Sequence, residues 1–198
     1  MKKEGLLLIA FLMLFYAGYA QETKLPTADE VIKEAVAQAK NDNKNVFIIF
    51  HASWCTWCHK MDTAMNNPAC KEFFTDNYVI RHLVVREQNK ELENPGATAL
   101  LAKYQGNKGG IPFFVVLDHN GTLIADSQIR PEGAEMDSPG RNIGFPGGPQ
   151  ALPHFEKLLK NTSSLTEEQI NVIKEVFQKA RGSVKIINHI VIDKKTFH

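Results

Sequence analysis

The sequence predicts an α/β domain with a mixed central sheet flanked by helices, continued by a C-terminal helix-plus-strand extension. Three observations point there. Helical and extended stretches alternate along the chain. Val46–Phe50 and Phe113–Leu117 are unbroken apolar runs of strand length, as strands covered on both faces require. Asn120-Gly121 sits between Phe113–Asp118 and Thr122–Ala125, a strong signal for a tight hairpin.

The elements follow in order. Residues 27–40 place Val31, Ile32, Ala35, Val36 and Ala39 on one helical face, and Thr27 can cap the start. The polar stretch 41–45 is a turn, and strand 46–50 follows. Residues 56–66 and 68–76 read as helices, the second opening at Pro68. Tyr78–Val85 reads as a strand and 96–105 as a helix ending at Gly106. Periodicity vanishes from 127 to 150, which holds four prolines and five glycines. A connection that long is functional or disordered, and a lip beside the site is one reading of it. Residues 150–160 and 167–181 are helical. Thr166 and Gln169 have capping-box spacing, and Leu165 and Ile170 can staple that start. Residues 184–192 (VKIINHIVI) read as a strand.

The N-terminus reads as a targeting segment. Lys2 and Lys3 precede the apolar run Leu6–Ala17, and Gly18-Tyr19-Ala20 supplies small residues for cleavage. The run is shorter than the span of about 20 residues that crosses a bilayer. Residues 1–20 are thus a signal peptide rather than a retained anchor, residues 21–160 the main domain and 161–198 the extension. This places the mature chain in the periplasm or outside the cell. The net charge of +1 lies within those first twenty residues. The remainder has no basic stripe of the kind a nucleic-acid partner would require.

Three cysteines remain: Cys55, Cys58 and Cys70. An exported chain that used disulfides as staples would carry more, in even number. Cys55 follows an apolar strand and opens a helix, where free N–H groups and the helix dipole favour an anion. The thiolate is the attacking species in disulfide exchange, and such a position lowers a thiol pKa. Cys58 lies one turn on, close enough to resolve a mixed disulfide. Gly110-Ile111-Pro112 precedes strand 113–117, and a proline at that point can carry a cis bond.

Ala52-Ser53-Trp54-Cys55-Thr56-Trp57-Cys58 resembles the active-site segment of the thioredoxin superfamily, and Lys103-Tyr104 with Gly110-Ile111-Pro112 resembles its later landmark. Trp54-Cys55-Thr56-Trp57-Cys58-His59-Lys60-Met61-Asp62 is similar to a subgroup of exported bacterial thioredoxin-like and disulfide-isomerase-like proteins, as is Asn142–Pro146. The resemblance spans roughly residues 27–160. It implies a thioredoxin-like fold and a thiol–disulfide oxidoreductase acting on exported protein substrates, as reductase or isomerase rather than oxidase. Cys55 would be the nucleophile and Cys58 the resolving thiol. Trp54, Ile111 and Pro112 would meet the substrate, and Gly144–Gly148 would lie near the same groove; Trp57, between the cysteines, is either a further substrate contact or a shield for the disulfide. No organic cofactor and no metal is implied. Electrons would pass to or from a redox partner at the membrane or in the periplasm. The oligomeric state stays open. One position departs from the family: Ile49 stands where thioredoxins bury a carboxylate, and His51 and His59 are the substitutes in reach.

Other readings remain at this stage. Cys55-Thr56-Trp57-Cys58-His59 also spells the c-type haem attachment pattern, though the strand-rich context argues against a small cytochrome. His51, Cys55, Cys58 and His59 could serve metal delivery, or the fold could be a binding module without turnover. Cys70 reads as a small buried hydrophobe, and Met61 and Met65 read as core. His82, His119, His154 and His189 have no partner visible in the sequence.

The helix-terminus argument predicts that Cys55 reacts with iodoacetamide with an apparent pKa below the roughly 8.5 of a free thiol. Alkylation rate measured against pH checks this, and an ordinary thiol profile would contradict it.

Overall fold

The computed structural model describes residues 25–193, with side chains to residue 182. The proposed signal peptide lies outside the described residues. Helix α1 (Ala28–Asp42) leads into β1 (Asn45–His51), α2 (Thr56–Met65), α3 (Lys71–Asn77) and β2 (Tyr78–Val84). A single 3₁₀ turn and α4 (Ala97–Lys103) precede β3 (Phe113–Leu117) and β4 (Leu123–Asp126). The short strands β5 (Gln128–Ile129) and β6 (Arg141–Asn142) come next, then α5 (Leu152–Thr162) and α6 (Glu167–Asp193).

The main sheet has the order β2-β1-β3-β4. β1 runs parallel to β2, and β3 is antiparallel to both β1 and β4. Each central strand is buried on both faces because its side chains alternate between two cores. Phe47 and Ile49 of β1 and Phe114 and Val116 of β3 face α2, α3, α5 and α6. Val46, Ile48 and Phe50, with Phe113, Val115 and Leu117, face α1 and α4. A one-residue slip would exchange the two sets, so the register is tightly held.

Local chemistry sets the ends. Thr27 and Glu30 close a reciprocal capping box on α1. Thr166 and Gln169 do the same ahead of α6. At the hairpin, Asp118 Oδ1 accepts from the amides of Asn120 and Thr122, both at 2.8 Å, and Gly121 takes φ +84°. Side chains disfavour that left-handed backbone, and glycine does not.

Two expectations are corrected, and a third, open one is narrowed. Residues 184–192 continue α6 as helix instead of forming a strand. A lone strand leaves its ladder groups unpaired, whereas an established helix satisfies each added residue internally. The second helix begins at Lys71 rather than Pro68, because Asn67 Oδ1 accepts from the amide of Ala69 and holds a turn there. Stretch 127–150 is ordered. Arg130 pairs with Asp126 at 2.7 Å, both side chains buried, and donates to the carbonyls of Met136 and Ser138.

Helix α6 is part of the core as far as Phe177. Ile170, Ile173 and Phe177 are fully buried with Phe74 and Phe155. Burial of such side chains contributes about 1.5–3 kcal/mol each. Among the described residues no helix is long and apolar enough to cross a membrane.

Phe177→Ala should cost about 3–5 kcal/mol, through lost burial and the cavity left behind. Urea unfolding measures this, and a loss under about 1 kcal/mol would mean that α6 is only loosely docked.

Candidate active site

Strand β1 ends at His51, the chain turns through Ala52–Trp54, and α2 starts at Thr56, so Cys55 is the N-cap residue. Its sulfur accepts a hydrogen bond from the amide of Cys58 at 3.2 Å. This amide belongs to the first helical turn and also donates to the Cys55 carbonyl at 3.0 Å, and it would stabilise a thiolate in the same way. Cys55 and Cys58 form a disulfide with Cα atoms 5.2 Å apart. Cys58 is fully enclosed, whereas Cys55 retains 4% exposure. Both cysteines are thus buried, Cys55 slightly less completely than Cys58.

The segment ahead of β3 faces the pair. The Ile111–Pro112 peptide is cis, and Ile111 packs on a small apolar cluster of Ala52, Cys55 and Cys58. The carbonyl oxygen of Ile111 lies 3.6 Å from the Cys55 sulfur. Pro112 is buried at the foot of β3. Trp54 and Trp57 flank the dithiol and are 58% and 39% exposed, large values for such side chains. The indole N–H of Trp54 donates to the carbonyl of Arg86 at 3.0 Å. The Trp57 ring lies 5.4 Å from Phe145, which stacks on Phe177 at 5.5 Å. The 144–148 segment thus reaches the dithiol through Phe145.

Ile49 is buried in the core, and its position holds no carboxylate. The two histidines differ in placement. His59 is exposed, and its Nε2–H donates to the Ser53 carbonyl at 2.7 Å. His51 shares the β1 face of Phe47 and Ile49, one alternation closer to the dithiol. Its ring lies 5.0 Å from that of His82, which bonds Asp62 at 2.7 Å. Nδ1 of His51 is buried and has no hydrogen-bond partner. Desolvation, reinforced by His82 and His59, holds its pKa below 6.5, against the opposing pull of Asp62 and Glu87. His51 is therefore neutral near pH 7.

Cys70 is buried, with its thiol donating to the Ala64 carbonyl at 3.3 Å, and desolvation pushes its pKa up to about 11. It is chemically quiet where it sits. His154 donates to the Asp126 carbonyl at 2.8 Å. Among the described residues no group of three or more His, Cys, Asp or Glu side chains is arranged to hold a metal.

Arg86 and Glu87 escaped the sequence reading, and Asn142 entered it only as the first residue of the Asn142–Pro146 stretch. Glu87 is buried, and its carboxylate accepts from the Ser53 amide and from the Ser53 hydroxyl at 2.9 Å. Asn142 Nδ2 donates to the carbonyls of Gly110 at 2.7 Å and Pro112 at 3.1 Å. The only sequence signal for the first two is a charged pair directly after an apolar strand.

A family described as thioredoxin-like matches residues 27–119, from the cap of α1 to the β3–β4 turn. The fold is thioredoxin-like. Several solved structures are similar to it. A disulphide isomerase from Xylella fastidiosa Temecula1 is 19% identical with a TM-score of 0.46, over 82% of this chain and 95% of that one. The C-terminal domain of Neisseria meningitidis DsbD in its oxidised form is 23% identical with a TM-score of 0.38, over 52% of this chain and 84% of that one. A thioredoxin from Thermus thermophilus is 20% identical with a TM-score of 0.38, over 59% of this chain and 79% of that one. No curated protein matches the sequence.

The buried imidazole gives this thioredoxin-like domain a pH signature. Below pH 6.5 the unfolded chain binds a proton at His51 that the folded site resists, so stability declines as the pH is lowered. His51→Gln should make urea midpoints less sensitive to pH between about 7 and 5. Equal slopes in the two proteins would contradict a desolvated His51.

Proposed function

We propose that this chain is an exported thiol–disulfide oxidoreductase acting on the disulfides of exported proteins, with Cys55 as nucleophile and Cys58 as resolving thiol. The observation that carries the reading is the placement of the pair: Cys55 caps the start of α2, is joined to Cys58 one turn on, and faces the Ile111 carbonyl.

In the reducing direction the Cys55 thiolate attacks one sulfur of the substrate disulfide. That bond breaks, a mixed disulfide forms, and the first substrate sulfur leaves and takes a proton. Cys58 then loses its proton and attacks the Cys55 sulfur, expelling the second substrate sulfur as a thiol. Two electrons pass to the substrate, and the chain is left in the disulfide form seen here. Trp54 and Trp57 supply apolar surface for the substrate chain, and Ile111 and Pro112 form the opposite wall.

The surroundings of Cys55 favour reductase or isomerase over oxidase. A strongly oxidising couple has a strongly stabilised thiolate. Here the sulfur has one amide donor and a carbonyl oxygen nearby, while His59 is directed at Ser53. A dithiol partner in the periplasm or at the membrane would return the pair to the reduced state. No organic cofactor takes part.

Purified protein should reduce insulin disulfides in the presence of dithiothreitol. Cys55→Ser should abolish this, and Cys58→Ser should accumulate a mixed disulfide that resolves slowly. The midpoint potential should lie nearer about −270 mV than −120 mV. Failure of Cys58→Ser to trap a substrate, or tight copper(I) binding without insulin reduction, would overturn the reading.

A further inference from the structure

The loop that carries Ile111 and Pro112 has three glycines, at 106, 109 and 110. Glycine loses more backbone freedom on ordering than any other residue, so such a loop does not hold its own shape. Something outside the loop must fix it, because it faces the dithiol.

Arg86 does this from the far end of β2. Its guanidinium donates to the carbonyls of Gly109 at 2.7 Å, Asn107 at 3.0 Å and Gly106 at 3.3 Å. One planar donor fork thus satisfies three carbonyls in four residues, which arginine's geometry allows. Arg86 also takes φ +60°, a left-handed backbone conformation uncommon for a residue with a side chain. From there its own carbonyl receives the indole N–H of Trp54 at 3.0 Å. Glu87, the next residue, holds the Ser53 amide and hydroxyl. The two walls beside Cys55, one bearing Trp54 and the other Ile111 and Pro112, are therefore tied to one residue.

We propose that Arg86 is a positioning residue for substrate: it sets the distance between the Trp54 wall and the 106–112 wall of the groove, and so governs how well an extended polypeptide seats against Cys55. The inference rests on the oxidoreductase reading above. It also assigns a division of labour. Arg86 makes no contact with either sulfur, so it acts on the binding of a polypeptide and leaves the chemistry of the dithiol alone.

Two disulfides separate these effects: insulin, which must occupy the groove, and hydroxyethyl disulfide, which is too small to span it. In Arg86→Gln, KM for insulin should rise about tenfold with kcat within about twofold. The rate with hydroxyethyl disulfide, the Cys55 alkylation profile and the midpoint potential should stay within about twofold or unshifted. Arg86→Gly removes the guanidinium but accepts the positive φ without strain, so it keeps the test open if the glutamine variant folds poorly. Arg86→Lys keeps the charge without the planar fork and should restore only part of the insulin KM. An unchanged insulin KM in both Arg86→Gln and Arg86→Gly would overturn the proposal. So would parallel losses with both disulfides, which would mean general damage to the site. If the unaltered protein turned over neither disulfide, the oxidoreductase reading itself would fall, and this inference with it.

Discussion

The amide of Cys58 pointing at the sulfur of Cys55 is the contact that the rest of the site serves. It exists only because α2 starts where it does, one residue after a turn that leaves β1 in a fixed direction. That direction is set by β1 lying between β2 and β3 with both faces buried. Two cores, one on each side of the sheet, hold the strand in register. The register in turn decides which way Ala52–Cys55 leaves the sheet. A single hydrogen bond at a helix end thus depends on packing spread across the whole domain.

The site is assembled from segments far apart in sequence. The dithiol turn, the end of β2, the glycine-rich segment ahead of β3 and the ordered stretch after β4 all meet around one sulfur pair. Polar side chains hold the backbones of these segments: Glu87 on Ser53, Arg86 on the 106–109 carbonyls, Asn142 on Gly110 and Pro112, and Arg130 on its own loop. Aromatic rings continue the connection inward, from Trp57 through Phe145 and Phe177 to Phe155. The loops beside Cys55 thus have several of their carbonyls and amides paired by side chains, which helps irregular backbone to hold a defined shape.

Legibility in the sequence followed the range of the interaction. The Thr27 cap and the Thr166–Gln169 capping box were readable because each acts within one helical turn. The hairpin was readable from Asn120-Gly121, and the cysteine pair from its spacing and its place after a strand. The stretch 184–192 misled because Val and Ile runs suit either state, and the outcome depended on whether a strand partner existed. Pro68 misled because a competing turn through Asn67 was equally local and better satisfied. The roles of Arg86 and Glu87 had no periodic signal, since each acts across twenty or more residues on backbone atoms that carry no sequence identity.

The chain's local chemistry thus determined most of its elements, the fold class and the two sulfurs that define the candidate site. Those follow from short-range preferences and the alternation of apolar side chains, which are properties of neighbouring residues. Tertiary packing decided that Ile111 faces the cysteine pair, that His51 holds a buried nitrogen without a partner while His59 is exposed, and that α6 belongs to the core. It also decided which side chains order the loops around the groove. Each of these is a question of what lies across a contact, and a contact between distant segments exists only once the two cores have closed on the sheet.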